Sequence, residues 1–252
     1  MTDGGAGVRI LQLYPDELGV TGDAGNVAVL RTRLERSGIR ATVDVHRPGG
    51  PLQGEPDIVV IGNGPLSAIR RVHADALANR HVLAEWAQRV PFFAVGAGLE
   101  LLCSRIEDAS EQWDGLGLVS ATAHRGRPRR VGYVIAEVSR AGESASRVLT
   151  GFEDQATELS EVERPFATIV RDVTGQVSRP DGVRTSTITG TLLQGPLLPL
   201  NPWLADELAS AAASHAGVAY HPDASLADLD ELAERATERM RAHVSSVFTT
   251  IR

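Results

Sequence analysis

The stretch Val90-Pro91-Phe92-Phe93-Ala94-Val95-Gly96-Ala97-Gly98-Leu99-Glu100-Leu101-Leu102-Cys103 decides how the whole chain is read. It predicts a short buried strand, a glycine turn and a helix. The strand follows from an apolar run with two aromatics, opened by a proline where no ladder hydrogen bond is needed. The helix follows from Leu99, Leu102 and Cys103, which recur at helical spacing. Turns of this kind hold one side chain above the sheet, beside the amides of a helix N-terminus. In many α/β enzymes that side chain is the nucleophile. Here the apex residue is Gly96, which has none.

Upstream, Asp57-Ile58-Val59-Val60-Ile61 is a continuous apolar run, the mark of a parallel strand covered on both faces. It leads into Gly62-Asn63-Gly64-Pro65, a glycine loop opening a helix over 66–71, with a second helix over 75–88. Val8 to Tyr14 roughly alternates as a first strand, and a turn-rich loop runs from Pro15 to Asn26. Val27, Leu30 and Leu34 predict a helix over 26–36, closed by Ser37-Gly38, and residues 40–46 alternate as a second strand. Strands alternating with helices imply right-handed crossovers and a doubly wound sheet. Ligands in such sheets sit at the carboxyl ends of the strands, so Gly62-Asn63-Gly64 and Gly96-Ala97-Gly98 share one rim. Downstream the chain is richer in β-structure, with strands over 130–138, 166–170 and 185–189. Residues 192–202 read as a strand end and a proline-stiffened loop. A helix covers 203–214, and an acidic, alanine-rich helix capped by Asp223 or Ser225 covers 223–241.

Composition narrows the classes. The 252 residues suit one α/β domain with an appendage, divided here as 1–215 and a C-terminal helical extension at 216–252. The net charge of −7 and the isolated basic stretch Arg125-Gly126-Arg127-Pro128-Arg129-Arg130 argue against nucleic acid as a partner. All 25 basic residues are arginine, which excludes Schiff-base and P-loop lysine chemistry. No apolar run is long enough to span a bilayer, and Met1-Thr2-Asp3-Gly4-Gly5 has no signal-like pattern. One cysteine permits no internal disulfide. Cytoplasmic residence is the expectation.

Several separate stretches carry a resemblance. They are Leu13-Tyr14-Pro15, Gly22-Asp23-Ala24-Gly25-Asn26, Gly62-Asn63-Gly64, Ala94-Val95-Gly96-Ala97-Gly98 with Leu101-Leu102, Gly151-Phe152-Glu153, and Gly195-Pro196-Leu197-Leu198-Pro199 with Asn201-Pro202. In these the chain resembles class I glutamine amidotransferase domains of the cobyric-acid-synthase branch. Within it, the chain looks most like GatD-type glutaminase subunits of lipid II isoglutaminyl synthases. The resemblance implies a flavodoxin-like fold, a mostly parallel central sheet with helices on both faces. It also implies glutamine hydrolysis by a cysteine at the elbow and a histidine before the Gly-Pro motif. An oxyanion would be held by amides of the glycine loop and of the residue after the cysteine. The ammonia would pass to a Mur-ligase-like partner that amidates an activated carboxylate in cell-wall precursor metabolism.

The match fails at the chemistry. The cysteine position falls on Gly96 and the histidine position on Gln194, and a carboxamide has no useful basicity near neutral pH. Leu99-Glu100 stands where the family usually has an aromatic and a glutamine. The expectation is a non-catalytic subunit with no cofactor and no metal, which keeps a binding role toward a Mur-ligase-like protein. A ligand-binding rim of Asn63, Gly64, Ala97, Glu100 and Arg129 remains for glutamine or another small polar ligand. An alternative is an enzyme or ligand binder with a rebuilt site that also uses Gln194, Asp154 and Arg130. Another is a glutaminase with an unconventional nucleophile. Cys103 lies two helical turns beyond Gly96 and reads as a small buried apolar residue. His124 reads as a solvated loop residue near the rim. His46, His73, His81, His215, His221 and His243 read as dispersed surface residues with no metal-ligand spacing. Asp16 and Glu17 read as turn and cap residues.

Overall fold

A computed structural model describes residues 7–109, 111–139 and 145–245. The N-terminal residues read above for a signal, and residues 246–252 of the C-terminal extension, lie outside them. In chain order the elements begin β1 (Val8–Leu13), α1 (Ala24–Arg36), β2 (Ala41–His46), β3 (Ile58–Ile61), α2 (Leu66–Ala78), α3 (Arg80–Trp86), β4 (Phe92–Val95) and α4 (Ala97–Leu102). Then come β5 (Cys103–Asp108), β6 (Glu111–Asp114), β7 (Val119–Val138), β8 (Arg147–Ser160), β9 (Ala167–Asp172), β10 (Gly175–Asp181), β11 (Val183–Arg184) and β12 (Ile188–Thr191). The helices α5 (Leu197–Leu200), α6 (Pro202–His215) and α7 (Ala227–Ala242) close the chain.

The first sheet runs β2-β1-β3-β4-β12-β11, parallel throughout except for the short antiparallel edge strand β11. The five parallel strands have the flavodoxin-like order, with a topological switch between β1 and β3. Successive strand residues face opposite sides, so each strand feeds two cores. Ile10, Val60 and Phe93 pack toward α1 and α6. Leu11, Val59, Ile61 and Phe92 pack toward α2, α3 and α4. The expected sheet and its two helical faces are present.

A second sheet is more extensive than the sequence suggests. It runs β10-β9-β7-β5-β6, with β8 paired to β7. β7 covers 20 residues, of which periodicity revealed only the second half. The first half was hidden because the β7–β8 register breaks between Arg125 and Arg130, where Gly126 and Pro128 interrupt the ladder. β8 was hidden because its inward positions include Glu153, Gln155 and Thr157, so no apolar alternation is visible.

Four smaller expectations are corrected. The break between the helices after β3 lies at Asn79, not at 72–74. There the Asn79 carboxamide accepts from the Leu52 amide (3.1 Å) and donates to the Asp75 carbonyl (3.0 Å). The strand expected at 185–189 falls instead on β12, because Thr185 Oγ1 accepts from the Ile188 amide (2.9 Å) and turns the chain first. The proline-stiffened loop after residue 194 contains the helical turn α5. Asp223 caps a 3-10 turn over Ala224–Leu226 (2.8 Å to the Ser225 amide), and α7 follows.

α7 is tied to the sheet domain by Arg33 and Arg36 of α1, the latter pairing with Asp228, and by Arg241, which donates to Thr150 of β8 (2.9 Å). Arg33 of α1 is only 2% exposed and pairs with Asp206 of α6 (2.6 and 2.7 Å) and Asp230 of α7 (2.6 Å). Tyr220 also donates to Asp206, and burial pushes its phenol up to about 12.

Candidate functional site

The turn after β4 has the backbone expected of an elbow. Gly96 takes φ 53° and ψ −117°, a region that side-chain-bearing residues enter only under strain. Its amide donates to the Thr191 carbonyl of β12 (2.8 Å), and its carbonyl accepts from the Glu100 amide (3.0 Å), which starts α4. Close approach of α4 to β3 requires Gly98. A Cβ there would lie 2.7 Å from Ile61 Cγ2 and 2.8 Å from the Gly62 carbonyl oxygen.

The loops around the elbow are fastened to one another by buried side chains. Asp23 accepts from the Asn63 amide (3.0 Å) and the Thr21 hydroxyl (3.0 Å), and burial raises its pKa. Asn26 accepts from the Leu198 amide (2.9 Å). Asn201 brackets Thr150 of β8, accepting from its amide (3.0 Å) and donating to its carbonyl (2.9 Å). Within the resembling motifs, Asp23 and Asn26 therefore fasten loops around the first sheet to one another, and Asn201 fastens them to β8 of the second sheet.

These loops and the strands β7 and β8 line an open cavity of about 350 Å³ at the carboxyl ends of β3 and β4. Asn63, Gly64, Gly96, Glu100, Arg129 and Gln194, all singled out from the sequence, line it. Ala97 does not. It is fully buried, and its amide donates to Asn63 Oδ1 (2.9 Å). The Asn63 side chain crowds the elbow as well: a Cβ on residue 96 would lie 2.2 Å from its Oδ1 and 2.6 Å from its Cγ.

The other rim groups are mutually engaged. Glu100 is 3% exposed, pairs with Arg125 and accepts from the Thr157 hydroxyl (2.9 Å). Arg129 pairs with Asp154 (2.5 Å), which raises the guanidinium pKa. Gln194 is attached to β8: its amide donates to the Phe152 carbonyl (2.7 Å), and its Nε2 donates to the Asp154 carbonyl (2.7 Å). Arg130 faces a neighbouring cavity of about 430 Å³, where it pairs with Glu158 (2.5 Å).

Sequence reading missed Arg125, Gln155 and Thr157 as lining residues. Arg125 and Thr157 are cross-strand partners in β7–β8, so recognising that pairing would have placed both. Gln155 Oε1 is buried without a hydrogen-bond partner among the described residues.

Cys103 is buried at the start of β5, donates its thiol to the Leu99 carbonyl (3.4 Å), and burial pushes its pKa far up. His124 is not a loop residue. It lies in β7, between Ser160 Oγ (2.6 Å) and Glu107 (2.9 Å). His46 is not a surface residue: it is 8% exposed, bonded to Asp75 (2.8 Å) and packed edge-on against Tyr14. His215 is part-buried between Asp57 (2.9 Å) and Glu55 (3.1 Å). Asp16 makes an exposed pair with Arg47 (2.6 Å) away from the cavity. Among the described residues no three His, Cys, Asp or Glu side chains are grouped to hold a metal ion. No helix of those residues is long and apolar enough to cross a membrane.

A two-sheet α/β fold with an elbow over a polar cavity defines a glutamine-amidotransferase architecture, and comparison with known proteins agrees. The chain belongs to the CobB/CobQ-like glutamine amidotransferase domain family, whose model matches residues 9–201. It is 23% identical over 231 residues to the subunit GatD of lipid II isoglutaminyl synthase (glutamine-hydrolyzing) from Staphylococcus aureus strain N315, covering 85% of this chain and 88% of that one. Two solved structures share the fold. One is a glutamine amidotransferase crystal structure (TM-score 0.52, 20% identity, 84% of this chain and 100% of that one). The other is the acivicin-bound glutaminase domain of Trypanosoma brucei CTPS (TM-score 0.54, 14% identity, 86% and 96%).

Proposed function

We propose that this chain is a GatD-like amidotransferase subunit that no longer hydrolyses glutamine and serves as the non-catalytic partner of a Mur-ligase-like protein. The observation that carries this reading is the elbow itself. Its backbone is kept at φ 53° and ψ −117°, yet the apex residue has no side chain to attack with. Gln194, at the position of the expected base, spends its Nε2 donor on a backbone carbonyl. Cys103 is no substitute, because burial holds its thiol protonated.

The similarity to a subunit of lipid II isoglutaminyl synthase supports amidation of a cell-wall precursor as the setting. The ligase would then use free ammonia or another amine, or respond to contact with this chain. Affinity purification of the full chain from its source organism tests the partner. Stoichiometric recovery of a Mur-ligase-like protein is expected, and its absence from cross-linked, native preparations would refute the assignment. A second reading, a small-ligand binder, draws support from the polar cavity and its buried Glu100–Arg125 pair.

A further inference from the structure

The Asn63 side chain lies against the elbow at the edge of the cavity. Its carbonyl oxygen accepts the Ala97 amide (2.9 Å), the donor immediately after the elbow apex. In elbow enzymes that amide is one of the two that hold the oxygen of the substrate carbonyl. The same carboxamide fills the space of a side chain on residue 96, with Oδ1 and Cγ at 2.2 and 2.6 Å from where a Cβ would stand. Asn63 is 8% exposed, and its backbone N–H donates to the buried Asp23 (3.0 Å).

We propose that the Asn63 carboxamide is a resident occupant of the substrate-amide seat, so that the chain is closed to glutamine by its own side chain. The proposal rests on the reading of Gly96 as the vacated apex. The chemistry matches: an asparagine side chain ends in the same primary carboxamide as glutamine and is shorter by one methylene. An internal group tethered at the seat competes with any external amide, and free glutamine binds only in the fraction of molecules in which Asn63 has swung away. The vacated nucleophile and the occupied seat are then coupled features. Gly96 makes room for the carboxamide, and the carboxamide satisfies the amide that the substrate would have used.

The alternative is that Asn63 merely caps the first turn of α4. Both readings predict some loss of stability on substitution, but only occupancy of the seat predicts a gain of ligand. The test is calorimetric titration of L-glutamine into wild type, Asn63→Gly and Asn63→Ala, with amide hydrogen exchange at Ala97 on the same samples. The alanine variant guards against poor folding of the glycine one. At least about tenfold tighter glutamine binding is expected in a folded variant. Ala97 exchange should be slow in wild type, faster in the variant, and slowed again by glutamine. Equal glutamine affinity in wild type and both variants would overturn the proposal. So would an Ala97 amide whose exchange ignores the Asn63 substitutions. Neither result bears on whether wild type releases ammonia, so failure here leaves the non-catalytic reading to its own test.

Discussion

Placing a side chain at the elbow, Gly96→Cys, should destabilise the protein, and the size of the loss follows from two separate costs. The backbone at φ 53° and ψ −117° costs a non-glycine residue about 1–3 kcal/mol. The new Cβ also meets Asn63 Oδ1 at 2.2 Å, so the carboxamide has to leave. Its departure orphans the buried Ala97 amide, for a further loss of about 1–3 kcal/mol. The less flexible unfolded chain offsets up to about 1 kcal/mol. The net loss is about 1–6 kcal/mol, which for a chain of this size lowers Tm by about 2–24 °C. Scanning calorimetry at several scan rates measures it. Repeating the substitution in an Asn63→Gly background isolates the steric part, because only the backbone cost remains there. A variant with unchanged or higher Tm, or equal losses in the two backgrounds, would refute the reasoning.

Three further outcomes are expected. Burial raises Asp181, which is held by Thr191 and the Leu192 amide, to about 6 from an ordinary 3.8. Its contribution is complete below pH 3.8 and is lost as pH rises to about 6, amounting to about 3 kcal/mol. Asp181→Asn should therefore gain stability over wild type progressively from pH 4 to 6 and hold that gain above, and a pH-independent difference in Tm would contradict this. Arg33→Ala removes a buried side chain and its bonds to Asp206 and Asp230 but leaves Tyr220 on Asp206, and should cost about 1–3 kcal/mol by scanning calorimetry; an unchanged Tm would contradict this. Cys103 should resist alkylation in the native protein and react only in step with unfolding, as mass spectrometry against denaturant would show.

The first sheet was legible because its strands are buried on both faces. Ile58 to Ile61 and Phe92 to Val95 therefore read as unbroken apolar runs next to glycine loops. The second sheet was largely illegible for the opposite reason. Its strands turn polar side chains inward, as at Glu153, Gln155 and Thr157, and β7 carries a glycine and a proline where its ladder slips. Rim residues on the first sheet could thus be named from sequence, while Arg125 and Thr157, contributed by the second, could not. The engagement of Asn63 with Ala97 was invisible for a further reason: a backbone amide held by a side chain 34 residues away leaves no local pattern. Motif residues that survive beside a glycine apex also have a physical explanation. Asp23, Asn26 and Asn201 are buried fasteners, and losing any of them would leave unpaired backbone groups in the core, whatever the fate of catalysis.

The most direct test of the account is ammonia release from L-glutamine by the full chain, alone and with its copurified partner. The account predicts no release above spontaneous hydrolysis in either sample. Turnover that persists after gel filtration and scales with the concentration of this chain would contradict it, and would require a nucleophile other than residue 96.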